Sequence, residues 1–443
     1  MLNDLKSDAM GIISQAIAAV DPSACVQRSV KRDGDLLHIG SRSYDISSYD
    51  NIYVVAFGKA AIPMASALED ILGEQLTEGY AITKYGFAGS LKKLTVMEAG
   101  HPIPDDKGVL AAKKVRDFLE KTGPRDLIFF LISGGGSALM TLPRKGIALS
   151  DIVNLTDKLL RVGATIDEVN TVRKHLSSVK GGGLAKMAYP SESVSLILSD
   201  VVGDPLDVIA SGPTVPDRST FDDFHEIVLR YGLQLSPAVQ GLLEDGLEGV
   251  IEDTPKSEGP IFEKCYNFLV GNNFLALREA EKKANELGYN TLVLTSSLAG
   301  EAREVAKVFA SIAKEERRRT IPLPLPACIL AGGEPTVTLK GRGKGGRCQE
   351  LALSFAIEAE GLENVLLLAA ATDGNDGPTD AAGAFADGYT VEKGQDAHMD
   401  ARVMLQHNNS YQFFKDLGNL LVTGPTGTNV MDIYVLLVRE DIR

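Results

Sequence analysis

The stretch LIFFLISGGGSALM, residues 127–140, decides the fold class. Six apolar residues in a row, with no polar alternation, suit a strand buried on both faces of a parallel sheet. The SGGGS turn that follows sits at the carboxyl end of that strand, where open α/β sheets bind ligands. The same grammar recurs on either side. NIYVVAF (51–57) ends in Gly58 and a helical stretch to Leu72 follows, while VSLIL (194–198) ends in SDVVGD. NFLV (267–270) runs into GNN and a long charged helix at 274–287, and TLVL (291–294), ACIL (327–330) and VLLLAA (365–370) continue the series. Strands separated by helices predict βαβ crossovers. The expected fold is therefore α/β: two α/β domains with largely parallel or mixed sheets, and an active site in the cleft between them.

Domain limits follow from composition. Residues 246–260 are acidic and rich in Gly and Pro, without a long periodic apolar face, and predict the boundary. That gives a Rossmann-like N-terminal domain over 1–250 and a C-terminal α/β domain over 261–443. RRRTIPLPLP (317–326) cannot be helical past its arginines and reads as a loop within the second domain. Residues 5–20 read as an amphipathic helix.

The chain has 443 residues, with 45 Lys+Arg against 59 Asp+Glu and a formal charge of −14. That balance argues against non-specific nucleic-acid binding, which needs a cationic surface, but leaves room for an anionic small molecule at a local cationic cluster. The four cysteines, Cys25, Cys265, Cys328 and Cys348, are scattered without a CxxC pair, so they are expected as free thiols rather than as zinc ligands or disulfides. No stretch predicts a membrane span or a signal peptide, and a cytoplasmic location is expected. A homodimer is compatible with the sequence.

Four places carry chemistry. Residues Ser133, Gly134, Gly135, Gly136 and Ser137 would let backbone N–H groups converge on an anion without interference from Cβ atoms; the plainer alternative is a tight strand-to-helix turn. The nucleophile elbow G-x-S-x-G is not matched, because Leu139 stands where its second glycine would be. The loop Gly341-Arg342-Gly343-Lys344-Gly345-Gly346-Arg347 has three cations among four glycines. It matches G-x-G-x-x-G, but its charge suits several phosphates, or a migrating phosphoryl group, better than a dinucleotide turn. The helix that follows it would offer an anion-binding N-terminus; a flexible basic loop is the alternative. Lys59 begins a helix just past a strand end, where a cation opposes the helix dipole unless an anion sits there too. Finally, Asp200, Asp204 and Asp207, and Asp373, Asp376 and Asp380, lie at strand ends. Carboxylates so placed suit Mg²⁺ with retained waters, or a base for a hydroxyl proton, with ordinary turns as the alternative. Arg173, Lys174 and Lys180 add cations beside a second glycine run. His101 and His175 are expected to be structural. Walker A, H-R-D and D-F-G motifs are absent, so the residues lead to phosphate or carboxylate chemistry on a small molecule, with phosphoryl transfer favoured.

The chain resembles the glycerate 2-kinase family whose C-terminal part is the MOFRL domain, some of whose members carry the label hydroxypyruvate reductase. The segments that carry the resemblance run in order along most of the chain. They are VVAFGKAA (54–61), AGHPIPD (99–105), LISGGGSALM (131–140), NTVRKHLSSVKGGGLA (170–185), LSDVVGDPLDVIASGPTVPD (198–217), AGGEPTVTLKGRGKGGRCQELAL (331–353) and ATDGNDGPTDAAGAFAD (371–387). One position departs: the family's GGRNQE has Asn where this chain has Cys348. The resemblance implies ATP-dependent, Mg²⁺-assisted phosphorylation of D-glycerate at its 2-hydroxyl, with Lys59 and Arg347 at the site. Lys59 and Arg347, on that basis, and Asp204, from its place at a strand end, are the expected catalytic residues. Ser133 to Ser137, Lys344, Gly345 and Gly346 are the expected substrate and phosphate contacts, and Asp200, Asp204 and Asp373 the expected metal ligands. A nicotinamide-dependent hydroxypyruvate reductase is the alternative. The cationic loop, and the lack of a ribose-binding acid about 20 residues on, weigh against it.

Overall fold

A computed structural model describes residues 2–440. The chain forms two compact units. One comprises residues 22–199 and 204–270, the other 1–21, 200–203 and 271–443.

The first unit opens with a small antiparallel sheet of β1 (Val30–Asp33), β2 (Leu36–Ile39) and β3 (Arg42–Asp45). Its main sheet contains β4 (Asn51–Phe57), β5 (Glu78–Lys84), β6 (Leu94–Ala99), β7 (Asp126–Ile132), β8 (Glu192–Leu198) and β9 (Cys265–Gly271), in the spatial order β6-β5-β4-β7-β8-β9. The pairs from β6 to β8 are all parallel. Successive strands from β4 to β6 step one way and β7 and β8 step the other, so the order reverses between β4 and β7. In doubly wound sheets that crevice is where ligands bind. All seven residues of β7 are buried, as its unbroken apolar run requires. A satellite layer of helices, Leu149–Arg161, Ile166–His175, Phe221–Tyr231 and Pro237–Leu247, closes on its own core of Leu155, Leu159, Val172, Phe221, Phe224 and Leu243.

In the second unit the strands are β10 (Asn290–Leu298), β11 (Ala327–Gly333), β12 (Val365–Ala371), β13 (Gly383–Asp387), β14 (Leu420–Leu421) and β15 (Asp432–Val438), ordered β10-β11-β15-β12-β13-β14. Only β10 and β11 pair in parallel; β15 runs antiparallel to both its neighbours, so this sheet is mixed. Helices Ala302–Arg319 and Arg347–Glu358 share one core with Ile329, Leu367, Leu436 and Tyr434. Helices Leu2–Ala19 and Asn273–Glu286 pack together and against β10, β11, β12 and β15. Helix Leu2–Ala19 is pinned by Tyr289 Oη to Asp8 Oδ2 at 2.7 Å, by Arg439 to Asp8, and by Thr428 Oγ1 to the Val20 carbonyl at 2.6 Å.

Two boundary expectations change. Residues 246–260 do not separate the units: the loop lies within the first one, held by Asp217 N to the Pro255 carbonyl at 3.0 Å and by His175 Nε2 to Asp253 at 2.8 Å. The helix at the start of the chain belongs with the C-terminal unit, because its buried face covers that unit's sheet. The arginines at 317–319 end a helix, as expected. All four cysteines are free thiols. No single described helix is long and apolar enough to cross a membrane.

Candidate active site

The reversal point of the parallel sheet is built by two interlocked loops. Register pairs Phe57 with Ile132, so β4 and β7 end level and their following turns touch. Lys59 N–H donates to the Gly134 carbonyl at 2.8 Å, and Ala60 N–H donates to Ser133 Oγ at 3.0 Å. Gly58 makes this approach possible. Its φ is +126°, and a Cβ there would fall 2.2 Å from Ser133 Oγ. Ser133 is thereby a structural pin. Gly136 N–H is also committed, to the Ser133 carbonyl at 3.2 Å. Among the described residues no acceptor meets the N–H groups of Gly134 and Gly135, and these two are the open part of the cradle. Gly135 is left-handed, with φ +83°, so that its N–H can face this way.

Lys59 reaches over this turn: its Cε would lie 3.3 Å from a Cβ on Gly135, and the His101 ring would lie at 2.9 Å. No described carboxylate pairs with Lys59. Burial, then the fields of Lys59 and Lys84, push the His101 imidazole below its ordinary value, so it stays neutral at pH 7. His101 is therefore part of the site wall, which its place before a proline did not reveal. Helix Ala61–Leu72 starts here without a side-chain cap. An uncapped helix start, open amides and an unpaired lysine together favour an anion.

A second group backs the same turn. Lys180 Nζ donates to the Ser137 carbonyl at 2.5 Å and to Ser137 Oγ at 3.0 Å. Ser137 Oγ lies 2.8 Å from Ser211 Oγ, which donates to Asn170 Oδ1 at 3.1 Å. Ala210 and Ser211 hold φ values of +51° and +62°, a conformation that costs about 1–3 kcal/mol per residue and concentrates at functional sites. It is fixed by Gly181 N–H on the Ser211 carbonyl at 2.9 Å and by Gly182 N–H on the Gly212 carbonyl at 2.7 Å. The glycines after Lys180 thus grip the strained serine. Arg173 donates Nε to Thr156 Oγ1 at 3.3 Å and pairs with no described carboxylate. Lys174 does not join this group: its ammonium pairs at 3.0 Å with Asp217, and both are buried. His175 is structural, as expected, bonded to the Thr171 carbonyl and Asp253.

The cationic loop of the second unit is more committed than its glycines suggest. The N–H groups of Lys340 and Gly341 donate to Asn408 Oδ1, Gly343 N–H to the His407 carbonyl, and Lys344 N–H to Asn409 Oδ1. A Cβ on Gly341 or Gly343 would strike the backbone of His407 or Asn409, so packing requires these glycines. Lys344 is not bound within a phosphate cradle; its ammonium lies over the Tyr411 ring, 4.6 Å from the centroid. The N–H groups of Gly345 and Gly346 meet no described acceptor and remain open. The helix Arg347–Glu358 does not offer a vacant N-terminus. Asp376 fills it, accepting from Cys348 N at 3.1 Å and Gln349 N at 2.8 Å. Burial, then Asp432, raise the Asp376 carboxyl to about 7.

Arg347 also has a structural duty. Its Nε and Nη2 form a fork on Asp432 at 2.6 and 3.0 Å, and its Nη1 meets Glu334 at 2.7 Å. Burial disfavours its charge, but the two carboxylates outweigh this and hold it firmly cationic. Cys348 is fully buried beside Asp432, and burial keeps its thiol protonated. The loop cannot be a dinucleotide turn: that fingerprint follows a strand directly, whereas β11 ends at Gly333, before residue 341. This removes the sequence feature that favoured a reductase.

Among the described residues no three His, Cys, Asp or Glu side chains form a metal cage. Asp200, Asp204 and Asp373 are therefore not a ready-made set of three ligands. Asp200 and Asp204 flank the turn after β8, and Asp204 has φ +55°. Asp373 forms an Asx turn with Asn375 N–H at 2.9 Å.

An α/β protein with an anion cradle at a sheet's reversal point and no carboxylate to neutralise it belongs to the class that handles phosphorylated or acidic small molecules. Comparison with known proteins makes this specific. Residues 8–244 match a domain of unknown function (DUF4147), and residues 327–432 match the MOFRL family. Glycerate 2-kinase of Pyrococcus horikoshii is 43% identical over 438 residues, covering 98% of each chain. Glycerate kinase of Danio rerio is 36% identical over 495 residues, covering 99% of this chain and 98% of that one. The crystal structure of glycerate kinase from Thermotoga maritima superposes with a TM-score of 0.89 at 41% identity, covering 98% of this chain and 100% of that one. The chain belongs to the glycerate kinase family with a C-terminal MOFRL domain.

Proposed function

We propose that the chain is an ATP-dependent kinase that phosphorylates the 2-hydroxyl of D-glycerate, giving 2-phosphoglycerate and ADP. The observation that carries this reading is the cradle at the reversal point: Lys59, unpaired, stands over the open amides of Gly134 and Gly135. Both substrates and the transition state are anions, and such a site must present cations and N–H donors without competing carboxylates.

Lys59 neutralises charge that develops on the transferring phosphoryl group or holds the glycerate carboxylate. The Gly134 and Gly135 amides hold the same anion from the other side. Gly345 and Gly346 offer open N–H groups to a phosphate oxygen, and Arg347, forked on Asp432, holds that loop in place. The chemistry of the donors fits Mg²⁺, which would be held by phosphate oxygens and water with one carboxylate, Asp200 or Asp204, rather than by a protein cage. When bound, Mg²⁺ would neutralise charge on the polyphosphate.

The test is ADP release from ATP and Mg²⁺ on adding D-glycerate, with phosphoglycerate isomers resolved by ³¹P NMR. A parallel reaction holds hydroxypyruvate and NADH. The expected product is 2-phosphoglycerate. NADH oxidation without ADP release would overturn the reading in favour of a reductase.

A further inference from the structure

We propose that Ser137 receives the proton of the substrate hydroxyl and that Lys180, directly behind it, is the positioning residue that takes that proton on. This rests on the kinase reading and adds to it the fate of the proton.

Phosphoryl transfer to an alcohol must dispose of one proton, and the group that takes it must sit within hydrogen-bond reach of the acceptor oxygen. Ser137 is the first hydroxyl after the open glycine turn. It is half-buried, follows the Gly134-Gly135-Gly136 cradle, and its hydroxyl belongs to a chain of four groups. Asn170 Oδ1 takes the Ser211 proton, so Ser211 gives none to Ser137, and the Ser137 proton can turn either to Ser211 Oγ or, when the amine is neutral, to Lys180 Nζ. Lys180 contacts Ser137 Oγ from the other side at 3.0 Å. When its amine is neutral, the Lys180 lone pair is the strongest base within reach of the serine.

The surroundings favour that neutral form. Burial, reinforced by Arg173, lowers the Lys180 ammonium to about 7. The adjoining Lys174 and Asp217 pair with each other. The loop at 133–137 and the turn at 210–212 bring only hydroxyls and backbone groups, and helix Ile166–His175 brings Arg173 and the Asn170 amide. Among the described residues no carboxylate bonds Lys180 to hold it charged. Lys180 also borders a cavity of about 800 Å³ with Ser177, Ser178, Lys186 and Asp253.

The step balances. The 2-hydroxyl oxygen forms its bond to phosphorus as the bond to the ADP oxygen breaks, and ADP leaves with that electron pair. The hydroxyl proton passes to Ser137 Oγ while the Ser137 proton passes to Lys180, giving an ammonium that later releases it to solvent.

The experiment measures single-turnover phosphorylation of D-glycerate between pH 5.5 and 9.5 for wild type, Lys180→Arg and Ser137→Ala, with ATP and D-glycerate binding by calorimetry. Wild type should gain rate as pH rises, with a midpoint near 7. Lys180→Arg keeps the positive charge and cannot deprotonate. It should bind both substrates within threefold of wild type, lose at least 100-fold in rate, and lose the limb near pH 7. A Lys180→Arg variant with the wild-type limb and a rate within threefold would overturn the proposal. Should that variant not fold, Ser137→Ala decides: a tenfold or greater loss with unchanged binding supports the relay, and a rate within threefold of wild type overturns it. Wild type that makes no 2-phosphoglycerate at any pH would overturn both readings, with the kinase assignment identified as the one at fault.

Discussion

Gly135→Ala separates the backbone role of the anion turn from its chemical role. Gly135 has φ +83°, and placing a Cβ in that region costs about 1–2 kcal/mol. The new methyl would also lie 2.9 Å from His101 Cδ2, 3.1 Å from Nε2 and 3.3 Å from Lys59 Cε. Carbon atoms pack at about 3.5–4.0 Å, so the imidazole must retreat by roughly 0.6–1 Å and the lysine arm by a few tenths. Gly146 is the control. Its φ is +88° and nothing lies within 4 Å, so Gly146→Ala carries the backbone cost alone. Gly146→Ala should lose about 1–2 kcal/mol, a Tm decrease of roughly 2–8 °C for a unit of this size, and Gly135→Ala at least as much. Only Gly135→Ala should lose turnover, because a shift of about 1 Å at a reacting centre can cost ~100-fold in rate. The expected fall in kcat/KM is 10- to 100-fold by coupled ADP assay, with thermal unfolding followed in parallel. Gly135→Ala with wild-type kcat/KM, or Gly146→Ala with an equal loss of activity, would refute the placement of Lys59 and His101 over the turn.

Lys59→Met should lower kcat by at least ~100-fold, about 2.7 kcal/mol of transition-state stabilisation, with Tm nearly unchanged because no carboxylate is left behind; circular dichroism and the ADP assay check both halves. Arg347→Ala should behave oppositely in stability, losing about 3–5 kcal/mol because the fully buried Asp432 is stranded, and adding Asp432→Asn should recover part of that loss in denaturant melts. The Asp376 carboxyl is raised from 3.8 to about 7, so the folded state binds more protons than the unfolded one between those values, and stability should fall as pH rises through that window. Asp376→Asn should flatten the slope, seen as urea midpoints that stop drifting between pH 4 and 7.

The reversal point was legible because its evidence is local. LIFFLI and NIYVVAF are buried strands by composition, and each is followed at once by the loop that carries the chemistry. What the sequence hid is non-local. The β15 strand, at the end of the chain, inserts between β11 and β12, and its first residue is the partner of Arg347, 85 positions away. Without that pairing the arginine reads as a free cation. Three of the four glycines of GRGKGG, Gly341, Gly343 and Gly345, read as ligand loops for the same reason, since His407 to Ser410, which they pack against, lie more than 60 residues on. Strands β5 and β6 carry charged or polar residues among their apolar ones, which blurred their signal. Asn170 and Ser211 had no motif to mark them; the one available hint was their position inside the segments that resemble the family.

The helix Leu2–Ala19 is made long before the residues that support it. Its anchors Tyr289, Thr428 and Arg439 emerge from synthesis hundreds of residues later, and the sheet it covers stays incomplete until β15 exists. Residues 22–270 contain the whole of the first unit and can fold meanwhile. For most of synthesis, then, an amphipathic helix waits with nothing for its apolar face to cover. The nascent chain is most exposed to aggregation, and most in need of chaperone cover, while this helix waits for its partners.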